Sequence, residues 1–403
     1  MGKTLLLLGG GRYAMPVIEA AHDLGARVIT CDYLPGNFAH AYSDGYVNAS
    51  IIDKNAVLAA AKSVAADGIM SFAADPGVVS AAYAAEKLEL PFQGSFDAVS
   101  ILQDKERFRS FLRDNGFNCP QIDVFRSSAE ALNHADQIEF PVIAKPVDSA
   151  GSKGCTRLDS VDELEAAVDY ALEFSRDGRC IVEQFLEKQK DSSDADGFLY
   201  EGKFTCISFT SQLFDLDAPN QFAPVAYTMP ASMSPDSQDE LKHELQRLAD
   251  LLELKSGIFN IETRVATDGK PYIMEMSPRG GGNRLAEMLR FSTDGKTDLI
   301  RASVQAALDM PVDSGKGCPH NGFWYQQMLH ADEPGEYGGI EYAPQFKENH
   351  VAEEQIWIDR GARVEPFQSA SNAFGSVFLR FDTAKELARF MQDPQACMRV
   401  LVR

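Results

Sequence analysis

The stretch IFNIETRVATDGKPYIMEMSPR, Ile258 to Arg279, decides the fold. It reads as two strands joined by Thr267-Asp268-Gly269-Lys270, because Asp-Gly between apolar runs is a strong hairpin signal. With Asp268 and Gly269 as a two-residue loop, Thr267 faces Lys270, Glu262 faces Glu275 and Asn260 faces Ser277. Alternation puts Phe259, Ile261, Val265, Tyr272, Met274 and Met276 on an apolar face. Asn260, Glu262, Arg264, Glu275, Ser277 and Arg279 share the other. Directly opposed side chains have Cβ atoms about 4.5–5.5 Å apart, and like charges there destabilise a sheet. A cation is therefore expected between Glu262 and Glu275. Either a divalent ion with oxygen ligands such as Mg²⁺ supplies it, or Arg264 or Arg279 does.

Upstream, Asp148 to Gly154 joins two strands with glycines, hydroxyls and Lys153, the composition of a flap whose amides can close on phosphates. The spacing is not that of a Walker A loop. Lys145 lies inside the apolar run Phe140 to Val147, and a lysine in a core-like strand calls for an anionic partner unless its end reaches water. The strand Cys180 to Phe185 follows the capped helix Ser160 to Ser175, where Ser160 and Glu163 form a capping box. Pro235 to Leu254 reads as another helix.

The N-terminal region alternates strands (Lys3 to Leu8, Arg27 to Cys31, Gly68 to Ala73) with helices (Pro16 to Leu24, Asn55 to Ala65, Pro76 to Leu88). That order implies a doubly wound parallel sheet. Its Gly9-Gly10-Gly11-Arg12 turn, with Asp32 beyond, fits either a dinucleotide site or plain turn geometry. Asp97 to Gly116 reads as helical, and the segment after Gly315 as short strands with a final helix near Ala384 to Met391.

The chain has 403 residues and a net charge of −21. That balance argues against nucleic-acid backbones and anionic membranes, which need basic patches. No run approaches the roughly 20 apolar residues of a membrane span, and the expected location is cytoplasmic. The seven cysteines are scattered without a CxxC, so neither a disulfide framework nor a zinc site is expected.

Lys145 before a glycine flap, Glu183-Gln184-Phe185-Leu186 at a strand end, and Glu262 and Glu275 before Ser277-Pro278-Arg279 together resemble the ATP-grasp superfamily. The Gly9-Gly10-Gly11 unit resembles the preATP-grasp domain of carboxylate–amine ligases, which is Rossmann-like and binds no NAD. The tail Gly361-Ala362-Arg363-Val364-Glu365-Pro366-Phe367 resembles their small C-terminal lobe. The resemblance implies an α/β and α+β chain with five parts. These are a preATP-grasp domain (1–96), a helical linker (97–118), a small lobe (119–186), a large lobe (187–315) and a C-terminal lobe (316–403).

It further implies that Lys105 and Lys145 contact ATP phosphates, with Ser152, Lys153 and Gly154 in the flap. Glu183 and the backbone of Gln184, Phe185 and Leu186 would hold adenine, and Glu187, Asp191 or Asp194 the ribose. Glu262 and Glu275 would bind one or two Mg²⁺ ions. Ser277 stands where the family usually has a metal-binding Asn, which leaves the second ion open. Arg279 would stabilise the transferring phosphoryl group. The run Arg279-Gly280-Gly281-Gly282-Asn283-Arg284 either binds the substrate carboxylate, through Arg279, Gly281, Gly282, Asn283 and Arg284, or is a hinge. The expected activity is ATP-dependent joining of a small-molecule carboxylate to an amine by a homodimer. Other ATP-grasp chemistry (purine-biosynthetic or carboxylase-type), a nucleotide-binding protein without catalysis, and a Rossmann dehydrogenase are the competing readings.

Overall fold

The computed structural model describes residues 2–149, 151–215, 218, 220–368 and 372–403. Ala150 of the glycine loop therefore lies outside the described residues, as do Leu216, Asp217 and Pro219 of the loop after Phe214.

The first sheet is parallel, with strands in the order Gly45–Asn48, Arg27–Asp32, Thr4–Leu8 and Gly68–Ser71. Helices Met15–Asp23, Lys54–Ser63 and Asp75–Leu88 connect or follow the strands, as the alternating pattern predicts. The first two amides of the glycine turn are taken by the protein, the Gly9 N–H by Cys31 O. The Gly10 N–H donates to Asp32 Oδ2 at 3.0 Å, and Asn37 Nδ2 donates to the same oxygen at 2.9 Å. The acid that a dinucleotide site would turn toward a ribose thus closes the turn on itself. A Cβ at Gly10 would sit 2.4 Å from the His40 ring, so glycine is needed there for close packing.

A second, antiparallel sheet of four strands runs Ile122–Phe125, Cys180–Gln184, Val142–Pro146, Thr156–Leu158. The capping box at Ser160 is present. The expected helix over 97–116 is broken at Asp104, whose carboxylate caps the second piece, Lys105–Asp114, through the Arg107 N–H.

The third sheet has eight strands and organises the rest of the chain. Its order is Pro271–Ser277, Gly257–Val265, Ser193–Tyr200, Lys203–Phe214, Pro224–Met229, Phe323–Leu329, Gly375–Phe381, Val351–Ile356, all antiparallel. Strands from beyond residue 316 thus continue the sheet that carries the Glu262–Glu275 hairpin. A small sheet of Arg363–Val364, Gly335–Tyr342 and Met398–Val402 flanks it.

Within the hairpin, Glu262 pairs with Glu275 and Asn260 with Ser277, as the spacing predicts. Near the turn the expectation fails. Thr263 pairs with Ile273, Arg264 with Tyr272 and Val265 with Pro271, and the register shifts after Glu262. Of the two expected loop residues only Gly269 takes positive φ, at +81°, whereas a two-residue type I′ turn needs it at both. Asp268 instead accepts the Lys270 N–H, and the Ala266 N–H donates to Lys270 O. The connection is a longer loop over 267–269, and an extra residue at Met274 restores the pairing further on. The faces change accordingly. Ile273 joins Phe259, Ile261, Val265 and Met276 in the core, while Tyr272 and Met274 pack with Leu186.

Cys206 and Cys318 form a disulfide with Cα atoms 5.5 Å apart, which corrects the expectation that no cysteines pair. Spacing could not reveal it, because the sequence separation is 112. The Gly317 N–H donates to Thr205 O and Thr205 Oγ1 donates to Gly315 O, docking that segment on the strand.

The N-terminal domain meets the hairpin through Phe72 and Ala73. The Ala73 N–H donates to Gly280 O at 3.1 Å, and a Cβ at Gly280 would lie 2.2 Å from the Phe72 ring. Phe72 is buried and has nowhere to retreat. Gly280→Ala is expected to lower stability by about 1–3 kcal/mol through overpacking, read as a lower urea midpoint, with an unchanged midpoint refuting the contact.

Candidate active site

Four carboxylates share one face of the large sheet. Glu262 is paired across one edge with Glu275 and across the other with Asp194, and Asn260 is likewise opposite Asp196. Burial, with the charge of Glu275 adding and those of Arg264, Lys145 and Arg109 opposing, raises the Glu262 carboxyl above its ordinary range. Burial, then the charges of Asp196 and Glu262, push the Asp194 carboxyl well up, and burial lifts Asp196 to about 6.

Among the described residues neither Arg264 nor Arg279 donates to Glu262 or Glu275. Arg264 Nη1 donates to Leu186 O, and Arg279 turns to Asp75. Neither arginine bridges the pair directly, although the charge of Arg264 acts on Glu262 and that of Glu275 on Arg279. The opposed carboxylates fit Mg²⁺, which is commonly held by one or two carboxylates plus waters and phosphates. No group of three or more His, Cys, Asp or Glu side chains among the described residues is arranged to hold a metal by itself. Ser277 is buried, and its hydroxyl accepts from Gln103 Nε2 and lies 3.1 Å from Asp75 Oδ1 and 3.2 Å from Glu275 Oε1. Its proton and one lone pair are engaged by protein.

On the four-stranded antiparallel sheet, Lys145 finds its anionic partner in Glu183. Lys145 Nζ donates to Glu183 Oε1 at 2.6 Å and Arg109 Nε donates to Oε2 at 2.5 Å. Burial alone would raise the Glu183 carboxyl, but the charges of Arg109 and Lys145 outweigh it and hold the group at about 2. Glu183 is therefore turned inward, away from any position open to a base. Arg109, absent from the sequence reading, lies within a strongly amphipathic helix and carries no local signal of this role.

Lys105 Nζ donates to Ser149 O at the base of the glycine loop, and Ser152 Oγ donates to Phe222 O across it. Ser152, at φ +57°, and Gly154, at +71°, give the loop its sharp turns. Lys153 is exposed. At the strand end the Gln184 and Phe185 N–H groups donate to Gln121 O and Pro141 O, and Leu186 O accepts from Arg264. Glu187 pairs with Arg157, whose guanidinium lies over the Phe185 ring. Asp191 accepts from Ser232 Oγ. Of the three ribose candidates, Asp194 is set apart by its place beside Glu262.

In the glycine run, named donors expected to meet a substrate carboxylate already meet protein carboxylates. Arg279 Nε and Nη2 donate to Asp75 at 2.8 and 2.7 Å. The Gly281 N–H donates to Asp196, and Asn283 Nδ2 to Asp194. Arg284 forks onto Glu287 at 2.8 and 2.6 Å and also donates to Ser376 Oγ. Gly282 lies against Tyr13 and Ala73. Tyr13 comes from the N-terminal glycine turn and makes an edge contact with Trp357. Arg284 and Glu287 are three residues apart, but Arg284 is a left-handed N-cap and not a helical position, so spacing alone does not announce the pair. Asp75, 204 residues before Arg279, offers no cue either.

Residues 138–287 match a family model described as "ATP-grasp domain". The carbamoyl phosphate synthase large chain of Thermotoga neapolitana is 28% identical over 186 residues, which cover 46% of this chain and 16% of that protein. The chain thus aligns with less than a fifth of the length of that relative. Among solved structures, an L-amino acid ligase from Bacillus licheniformis superposes with a TM-score of 0.80 at 20% identity, covering 100% of this chain and 99% of that one. The biotin carboxylase domain of Hydrogenobacter thermophilus 2-oxoglutarate carboxylase, solved as a dimer with MgADP and bicarbonate, has a TM-score of 0.74 at 15% identity, covering 100% and 91%. The opposed glutamates and the lysine before a glycine loop lie within the span that matches, and residues 138–287 of the chain form an ATP-grasp domain.

Proposed function

We propose that the chain is an ATP-dependent ligase that joins a small-molecule carboxylate to an amine. The observation that carries this is the convergence of the two lobes' charges. Glu262 is directly opposed to Glu275 on the large sheet, and the charges of Lys145 and Arg109, which share Glu183 on the small-lobe side, act on its carboxyl.

In the proposed reaction a carboxylate oxygen attacks the γ-phosphorus of ATP, the bond to the β,γ-bridging oxygen breaks, and ADP leaves an acyl phosphate. An amine nitrogen then attacks the acyl carbon, phosphate departs, and the nitrogen loses a proton to give an amide. Lys145 and Lys105 would hold the phosphates, and the loop with Ser152, Lys153 and Gly154 would cover them. Glu262 and Glu275 are the side chains that would hold Mg²⁺, which when bound neutralises polyphosphate charge. Arg279, with Nε and one side of Nη2 fixed on Asp75 and Nη1 on Asn260 and Gly280 O, keeps one Nη2 N–H for the transferring group. With the Gln184 and Phe185 N–H groups and the Leu186 carbonyl already bonded to protein, the proposed adenine edge narrows to the Phe185 carbonyl and the Leu186 N–H, with Glu187 or Asp191 toward the ribose. Gly282 and the braced run around it would shape the carboxylate's seat.

A homodimer and a cytoplasmic location belong to the same proposal. The dimeric biotin carboxylase domain of the same fold supports the first, and the need for ATP the second.

A screen of carboxylate and amine pools for ADP release tests the activity. Release that needs both substrates supports it, and MgADP binding without turnover would favour a nucleotide-binding protein instead. With active substrates in hand, Asp75→Asn should lower kcat by roughly tenfold to hundredfold through loss of Arg279's orientation. The KM for ATP should stay unchanged. A variant with wild-type kcat would remove Arg279 from the transferring group.

A further inference from the structure

Arg109 heads the largest fully buried side chains among the described residues, at 1% exposure. A buried guanidinium costs several kcal/mol unless it is well paired, yet its Nη1 has no protein partner. Its one strong contact is Glu183, whose side chain is also 1% exposed, while Lys145 on the other carboxylate oxygen is 12% exposed. Two cations therefore share one anion. The triad carries a net charge of one, and it meets solvent through Lys145.

A Glu183–Lys145 pair alone would orient the lysine equally well but cancel its charge. We propose that Arg109 is a positioning residue for nucleotide binding: by taking half of the Glu183 carboxylate it leaves Lys145 both oriented and net positive toward the phosphates. This rests on the ATP-site reading above. It assigns Glu183 to the lysine's support rather than to the adenine.

Titration calorimetry with MgADP tests this without an identified substrate. Arg109→Gln retains a donor for Glu183 and removes the charge, so it should weaken MgADP by about tenfold, the scale of an interaction with a charged partner. Arg109→Lys should recover most of that loss. The double variant R109Q/E183Q removes both charges, and it should bind several-fold tighter than R109Q because Lys145 is no longer quenched. A purely structural role predicts the reverse, since the double change removes more of the network.

Wild-type affinity in R109Q, or a double variant no tighter than the single, overturns the proposal. Should R109Q not fold by circular dichroism, R109K against R109Q/E183Q decides. Both bind MgADP on the charge reading, and failure of the folded double variant to bind rejects it. Lys145→Met separates the two levels. If it binds MgADP like wild type, the nucleotide site itself is misplaced and Arg109's role falls with it. If it weakens binding and the rescue fails, only the Arg109 inference is lost.

Discussion

Glu275→Gln is expected to lower substrate-dependent ADP release by roughly 10²–10³-fold, the range seen when one preorganised electrostatic group is removed from a transition state. The change keeps the shape of the side chain and an oxygen for the Ser277 hydroxyl, now 3.2 Å from Oε1. The fold should therefore survive. It should even gain slightly in metal-free buffer, because Glu262 and Glu275 are directly opposed and their like charges repel. The two effects have opposite signs and one cause. Thermal unfolding without Mg²⁺ should give an equal or higher Tm than wild type, while the Tm increase produced by MgADP shrinks. Full Mg²⁺-dependent turnover in this variant would sink the assignment of the pair as the metal site.

Arg284→Met should cost about 3–5 kcal/mol of stability, the penalty for leaving a buried charge without its partner. Arg284 and Glu287 are 4% and 6% exposed, and the fork between them is bidentate. The guanidinium also lies over the Phe378 ring at 4.8 Å. Removing Arg284 leaves the buried Glu287 without its cation. Removing both, as R284M/E287L, should recover most of the loss, since apolar replacement of a whole buried pair is often neutral or stabilising. Urea unfolding of the two variants and wild type measures this. A substrate-binding role for Arg284 predicts a different pattern, with small stability changes and a raised KM for the carboxylate in both variants.

The parts of the fold legible in the sequence are those specified locally. Strand and helix alternation located the parallel sheet, and the Ser160 capping box started its helix where it reads. The Glu262–Glu275 pairing was reached from a two-residue turn that is absent, and it holds because the bulge at Met274 offsets the longer loop. What escaped depended on partners distant in the chain. Asp75 reaches Arg279 across the domain boundary, Arg109 reaches Glu183 from a helix whose apolar stripe only announces burial, and Cys206 meets Cys318 through a docked segment. The glycine run was readable as a special backbone and not as a braced one, because its braces, Asp194, Asp196 and Glu287, are acids whose burial no spacing discloses. The Gly10 turn shows the same limit. Its composition suits an anion, and the anion proves to be the chain's own Asp32.

The extra residue at Met274 also bears on how this hairpin can change. A two-residue turn without a bulge and the observed longer loop with one arrive at the same pairing of Glu262 with Glu275. The loop end and the carboxylate end of the hairpin are therefore joined as by a slip coupling, in which a residue gained at the tip is taken up at position 274 before it reaches the glutamates. Insertions and deletions at the tip that are matched by gaining or losing the bulge are neutral for the site. Only a deletion that neither the loop nor the bulge absorbs slides Glu275 off Glu262.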